Sequence, residues 1–232
     1  MARYRVPVRF ARGGWIEYDY KVISSRNIES QTEELESSTR QKIANLTSNI
    51  LNPFLISLAV ILLFSFSSAA TFSEAIKWAF ISMGISIVPI FLVIVYVVHG
   101  GGFDDIFTSV RQERTKIYLA AGFSAIAGYF ILSYLKAPPV LVAGFTAVLS
   151  MAAVFMLINL RWKISVHTGC IAASSMVLVM LYGWIAAVTV PLVPLTAWSR
   201  VELEQHSLAQ AVTGAVLAAL IVAVVFYPVI GV

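Results

Sequence analysis

Two short runs carry the residue types that can do chemistry. One is Arg161-Trp162-Lys163-Ile164-Ser165-Val166-His167-Thr168. The other is Ser199-Arg200, followed by His206 and Gln210. The chain has three histidines, and two of them lie in these runs. Each has a cation and a hydroxyl nearby in sequence. Histidine changes charge near neutral pH, so cations beside it suit it to work on an anion.

These runs sit at the edges of long apolar segments. The chain has 232 residues, 59% of them hydrophobic and 12% charged, and its mean hydropathy is +0.85. A soluble domain is about a quarter charged. Too few charges to cover a surface, with apolar runs of spanning length, predict a multi-pass membrane protein. A formal charge of +4, scattered along the chain, gives no argument for a nucleic-acid partner, and none is expected. The lone Cys170 forms no intrachain disulfide and says nothing about compartment.

Residues 1–47 are a polar tail. They hold eight of the 16 basic residues and six of the 12 acidic ones. The start holds four arginines and no apolar core, so no signal peptide is expected. The basic, aromatic part through Tyr18 and Tyr20 is expected against anionic headgroups, or as a partly disordered tail. Glu29 to Ala44 reads as a polar helix. Residues 48–232 form the transmembrane domain. Roughly 20 apolar residues cross a bilayer as a helix. The candidate spans are 50–70, 77–98, 117–135, 139–160, 165–182, 184–198 and 207–230. The sixth is short and carries Pro191 and Pro194. The fold class expected is all-α, a transmembrane bundle of six to seven spans.

Three polar clusters then end on one membrane face, because an even number of crossings separates each from the next. Arg111, Arg114 and Lys116 follow span two. Arg161 and Lys163 follow span four. Arg200, Glu202 and His206 follow span six. The positive-inside rule makes that face cytoplasmic. Arg111, Arg114, Lys163 and Arg200 converging there would repel one another unless an anion lies among them, and arginine's planar fork suits phosphate. His206 is the expected nucleophile and His167 the expected acid. Glu202, His206 and Gln210 recur at i, i+4 and i+8, which predicts one face of a helix capped by Ser199. Glu202 or Gln210 would orient the His206 ring. Asp104 and Asp105 look like a metal-binding pair only superficially, since no further acids stand at helical spacing.

At these residues the chain resembles the type-2 phosphatidic-acid phosphatase superfamily. Ser199-Arg200, five residues, His206, three residues, Gln210 is similar to its third motif, Ser-Arg, five residues, His, three residues, Asp. Ile164-Ser165-Val166-His167-Thr168 resembles its second motif, Pro-Ser-Gly-His. Arg111 to Arg114 resembles the end of its first motif. The resemblance spans about residues 50–232, with the two histidines 39 apart. It implies a phosphohistidine intermediate on His206, His167 as general acid, Arg114 and Arg200 on the phosphate, and a hydrogen bond from Ser165. It implies no cofactor or metal, and a lipid phosphate or prenyl (pyro)phosphate as substrate.

The departures are Gln210 for Asp, Val166 for Gly, Ile164 for Pro, and Phe107 at the first motif's Lys, where Arg111, Lys116 or Lys163 would substitute. They keep a second class open: a non-catalytic membrane protein that binds anionic headgroups or partner proteins. A transporter ranks last, because no matched pair of broken helices is visible.

Overall fold

The computed structural model describes the backbone of residues 3–9, 15–21, 25–99 and 111–231, and the side chains of 37–93, 95 and 115–231. The chain divides into two compact units, 1–43 and 44–232. The first holds strands β1 (Arg3–Arg9) and β2 (Trp15–Lys21). They pair antiparallel, with Arg5 opposite Asp19 and Val8 opposite Ile16. The all-α transmembrane bundle expected from the sequence is formed by the second unit, and this ladder lies in the tail before it. Helix α1 covers Ser25–Ile50, so the polar helix is longer than the sequence predicts at both ends.

The second unit is a helical bundle. After α1 the chain breaks at Leu51-Asn52. Asn52 then caps α2 (Pro53–Ser68) by accepting the Leu55 N–H, with Pro53 at the first helical position, where its missing donor costs nothing. Next come α3 (Phe72–His99), α4 (Arg111–Tyr134), α5 (Pro139–Asn159) and α6 (Val166–Tyr182). A 3-10 segment, Gly183–Thr189, leads to α7 (Leu192–Glu202) and α8 (Leu208–Ile230).

Among the described residues, six stretches are long and apolar enough to cross a membrane: Ser37–Ser68, Phe72–Val93, Thr115–Tyr134, Pro139–Asn159, Val166–Thr189 and Leu208–Ile230. Large apolar side chains such as Phe80, Phe123, Phe130 and Val224 point outward and are exposed. Hydrocarbon is the solvent that makes such a surface stable. The protein is therefore a multi-pass membrane protein.

The expected span at 184–198 is not one helix. It is the 3-10 segment followed by the short α7. It nevertheless makes a return passage, because α6 and α8 run parallel. At one end the Ser165 N–H donates to the Gln210 carbonyl. At the other, Val177 packs with Val222 and Phe226. The chain must climb back between them, over roughly 30 Å if both segments run along the bundle. Ser175 Oγ, donating to the Thr189 carbonyl at 3.1 Å, ties this broken passage to α6.

Helices α4 and α5 are antiparallel in a fixed register. Tyr118 packs with Phe155. Nearly three turns further along α4, Gly128 meets the Phe145 ring so closely that a Cβ would lie 2.1 Å from it. The turn between them is the expected Lys136-Ala137-Pro138-Pro139. Lys136 takes a left-handed φ of 56°. The Ala137 N–H donates to the Leu132 carbonyl, which closes α4 in a Schellman motif, and the prolines stop it. The larger core cluster is built on Phe64, Trp78, Leu132, Phe145 and Phe226, and the smaller on Tyr118, Phe155, Ile164 and Ala218.

Candidate active site

The site lies where the N-termini of α6 and α8 meet the C-terminus of α7. Ser165 caps α6 by accepting the Thr168 N–H, and its hydroxyl shares a 3.0 Å hydrogen bond with Thr168 Oγ1. Both residues are fully buried. The hydroxyl expected to donate to a phosphate also holds the helix start, as acceptor of the Thr168 N–H. His167 follows in the first turn of α6 and is buried. That end of a helix carries the positive pole of its dipole and favours an anion nearby.

The approach of α6 to α8 depends on Gly214. A Cβ there would lie 2.5 Å from the Ser165 carbonyl oxygen, so no other residue fits without moving the helices apart.

Arg200 is 4% exposed, in the last turn of α7. Its Nη1 donates to Ser48 Oγ at 2.7 Å. Its carbonyl accepts the N–H groups of Gln205 at 3.0 Å and His206 at 3.2 Å. The Glu204 N–H donates to the Val201 carbonyl, and Glu204 itself is left-handed, with φ 54°. This is a second Schellman closure, with a glutamate where glycine is usual. It turns the chain so that His206 comes back beside Arg200.

The expected single helix carrying Glu202, His206 and Gln210 is not formed. Helix α7 ends at Glu202, and α8 begins after Ser207. Glu202 and Gln210 therefore belong to different helices. Ser199 is not a cap. It is buried inside α7 and donates to the Thr196 carbonyl.

Gln210 does reach His206, by another route. Ser207 and Gln210 form the capping box of α8, in which Gln210 Oε1 accepts the Ser207 N–H at 3.1 Å. The same oxygen lies 3.2 Å from His206 Nδ1. An oxygen already accepting a backbone proton fixes the amide's orientation. Nδ1 must then be the donor, and a neutral ring carries its lone pair on Nε2.

His167, Arg200 and His206 line the mouth of one cavity of about 350 Å³. The rest of its lining is mostly apolar, with Ser57, Ser86, Ser124 and Ser174 among it, and Tyr118 and Val166 also line it. Lys163 lies partly buried in the turn before α6, outside the lining. Arg111 and Arg114 occupy the first turn of α4, two turns and one turn before Tyr118 respectively at helical spacing. Their side chains lie outside the described residues, as do Asp104 and Asp105 altogether. Among the described residues no group of three or more His, Cys, Asp or Glu stands together to hold a metal.

No family model, curated protein or solved structure matches this chain.

Sequence reasoning missed Ser48, Thr168, Ser207 and Gly214. Ser207-Leu208-Ala209-Gln210 has the Ser-x-x-Gln form of a capping box, so that one was readable. Nothing local links Ser48 to Arg200, 152 positions away.

Proposed function

We propose that this chain is an integral membrane phosphatase acting on a lipid phosphate or prenyl (pyro)phosphate. One observation carries the reading: two histidines and a buried arginine line a cavity whose other lining residues are mostly apolar, with scattered serines. A phosphorylated lipid has that same division, an anion joined to hydrocarbon. The motif resemblance assigns these same residues to phosphoryl transfer.

In this reading the phosphoryl oxygens lie against Arg200 and the positive end of α6, with Arg111, Arg114 and Lys163 adding to the field. His206 Nε2 attacks phosphorus as the bond to the leaving oxygen breaks. His167 protonates that oxygen, and the lipid alcohol, or monophosphate, departs. Water then attacks the phosphohistidine and His167 takes its proton. The P–N bond breaks and inorganic phosphate leaves. Gln210 holds the ring throughout. It lacks the carboxylate charge that would steady the imidazolium form, so Arg200 and the α6 terminus supply most of the stabilisation of the transferring group. No cofactor takes part.

The seat of action is the cell membrane, with the site on the cytoplasmic face, from the excess of Lys and Arg on the loops of that face. The Gln210 replacement favours one other reading, a headgroup-binding protein without turnover. Vanadate and tungstate mimic the transferring group and distinguish the two. Phosphate release blocked by micromolar vanadate, and unaffected by chelator, is expected. Headgroup binding without release, or release that needs added metal, contradicts the proposal.

A further inference from the structure

The cavity continues far beyond the chemistry. Along α5 its lining runs from Phe155, near the mouth, to Leu141. Those 14 residues correspond to about 21 Å of helix. One leaflet of a hydrocarbon core is about 15 Å, half of the usual thickness. The volume of about 350 Å³ lies at the low end of small-molecule sites. A cavity this deep and this small is narrow.

A defined ring pair stands at the end remote from the histidines. Phe64 of α2 and Phe226 of α8 have ring centroids 5.9 Å apart, tilted by 54°. They are 3% and 1% exposed, and both line the cavity. Phe64 is backed by Gly144, whose Cβ position lies 3.8 Å from its ring. Phe226 packs in the same cluster as Phe145, Val177 and Val222. Away from the cavity these rings are packed against neighbours, so they can recede from an occupant only at a cost.

We propose that the cavity gauges the hydrocarbon of a single-chain lipid phosphate, with the Phe64–Phe226 pair as the stop that sets its length. The phosphate end rests on the functional reading above. The gauge rests on the depth, the narrowness and the ring pair. The occupant is one chain, longer than a leaflet is deep and anionic at one end, because Arg200, the one cation among the described lining residues, stands at the histidine end. A diacyl lipid would have to seat two chains in about 350 Å³, the low end of small-molecule sites.

The test is competition binding in detergent micelles of fixed composition. Alkyl monophosphates of increasing chain length displace a labelled long-chain alkyl phosphate, with phosphate release followed in parallel. Affinity is expected to rise with chain length, by up to about fourfold per methylene, and to stop rising at a definite length. Phe226→Ala moves that break to longer chains. Ala147→Leu, at a buried position partway down the lining, moves it to shorter ones. Phe226→Leu serves if the alanine variant does not fold, with a smaller shift in the same direction. A diacyl phosphate competes no better than a single-chain one. A break common to wild type and all folded variants overturns the gauge, as does the absence of any break. Shifted breaks without phosphate release support the gauge while refuting the phosphatase reading. Release without shifts does the reverse.

Discussion

The Gln210 side-chain oxygen lies 3.2 Å from His206 Nδ1 while it accepts the Ser207 backbone N–H at 3.1 Å. One amide thus starts helix α8 and sets the tautomer of the ring before it. Gln210→Ala is expected to cost about 1 kcal/mol of stability through the lost cap, and to lower kcat by roughly tenfold to a hundredfold through the loose ring. Gln210→Asp keeps the acceptor and adds charge, so turnover is kept or raised. Glu202→Gln is expected to change the rate less than Gln210→Ala, since Glu202 ends a different helix. Steady-state kinetics of the three variants, beside thermal unfolding, separate these effects.

The bond from Arg200 to Ser48 holds a buried guanidinium in place. A hydrogen bond to a charged group contributes about 1.5–3 kcal/mol. Ser48→Ala is expected to raise KM about tenfold with a smaller change in kcat, and Ser48→Thr to restore most of it. An unchanged KM in Ser48→Ala shows that Arg200 does not depend on this contact.

Gly214 and the Ser165 carbonyl are in contact across α8 and α6. Gly214→Ala overpacks that crossing and is expected to destabilise the protein by about 1–3 kcal/mol. It also shifts the start of α6, and with it His167. The melting temperature and the rate should fall together. A variant of normal stability and activity shows that the crossing can open without cost.

Much of this was legible in the sequence, and the failures have physical causes. The long spans were readable because some 20 apolar residues in a row have no other stable home. His167 and His206 were readable because polar residues at span edges are few. The face shared by Glu202, His206 and Gln210 was misread because no glycine or proline marks the break at Leu203 to Ser207. A left-handed glutamate makes that turn, held by tertiary contacts that override its preference. The hairpin was present as alternation, with Tyr4, Val6 and Val8 between Arg3, Arg5, Pro7 and Arg9, but its charge drew the reading toward a lipid-bound tail. Ser48 was invisible because its partner is distant in sequence.

That turn also yields a stability prediction. A non-glycine residue at a left-handed position costs about 1 kcal/mol. Glu204→Gly, or Glu204→Asn with less loss of unfolded-state constraint, is expected to raise the melting temperature by a few degrees and leave activity unchanged. A lower melting temperature shows that the Glu204 side chain contributes more than the strain it causes.

The central claim is that His206 carries the phosphoryl group. It is tested most directly by phosphate release from a lipid phosphate by purified protein in the presence of chelator, for wild type, His206→Ala and His167→Ala. The account predicts release by the wild type, none above background for His206→Ala, and a loss of at least about a hundredfold for His167→Ala, with all three folded. Release by His206→Ala at the wild-type rate, or none from the wild type across single-chain, diacyl and prenyl phosphates, contradicts it.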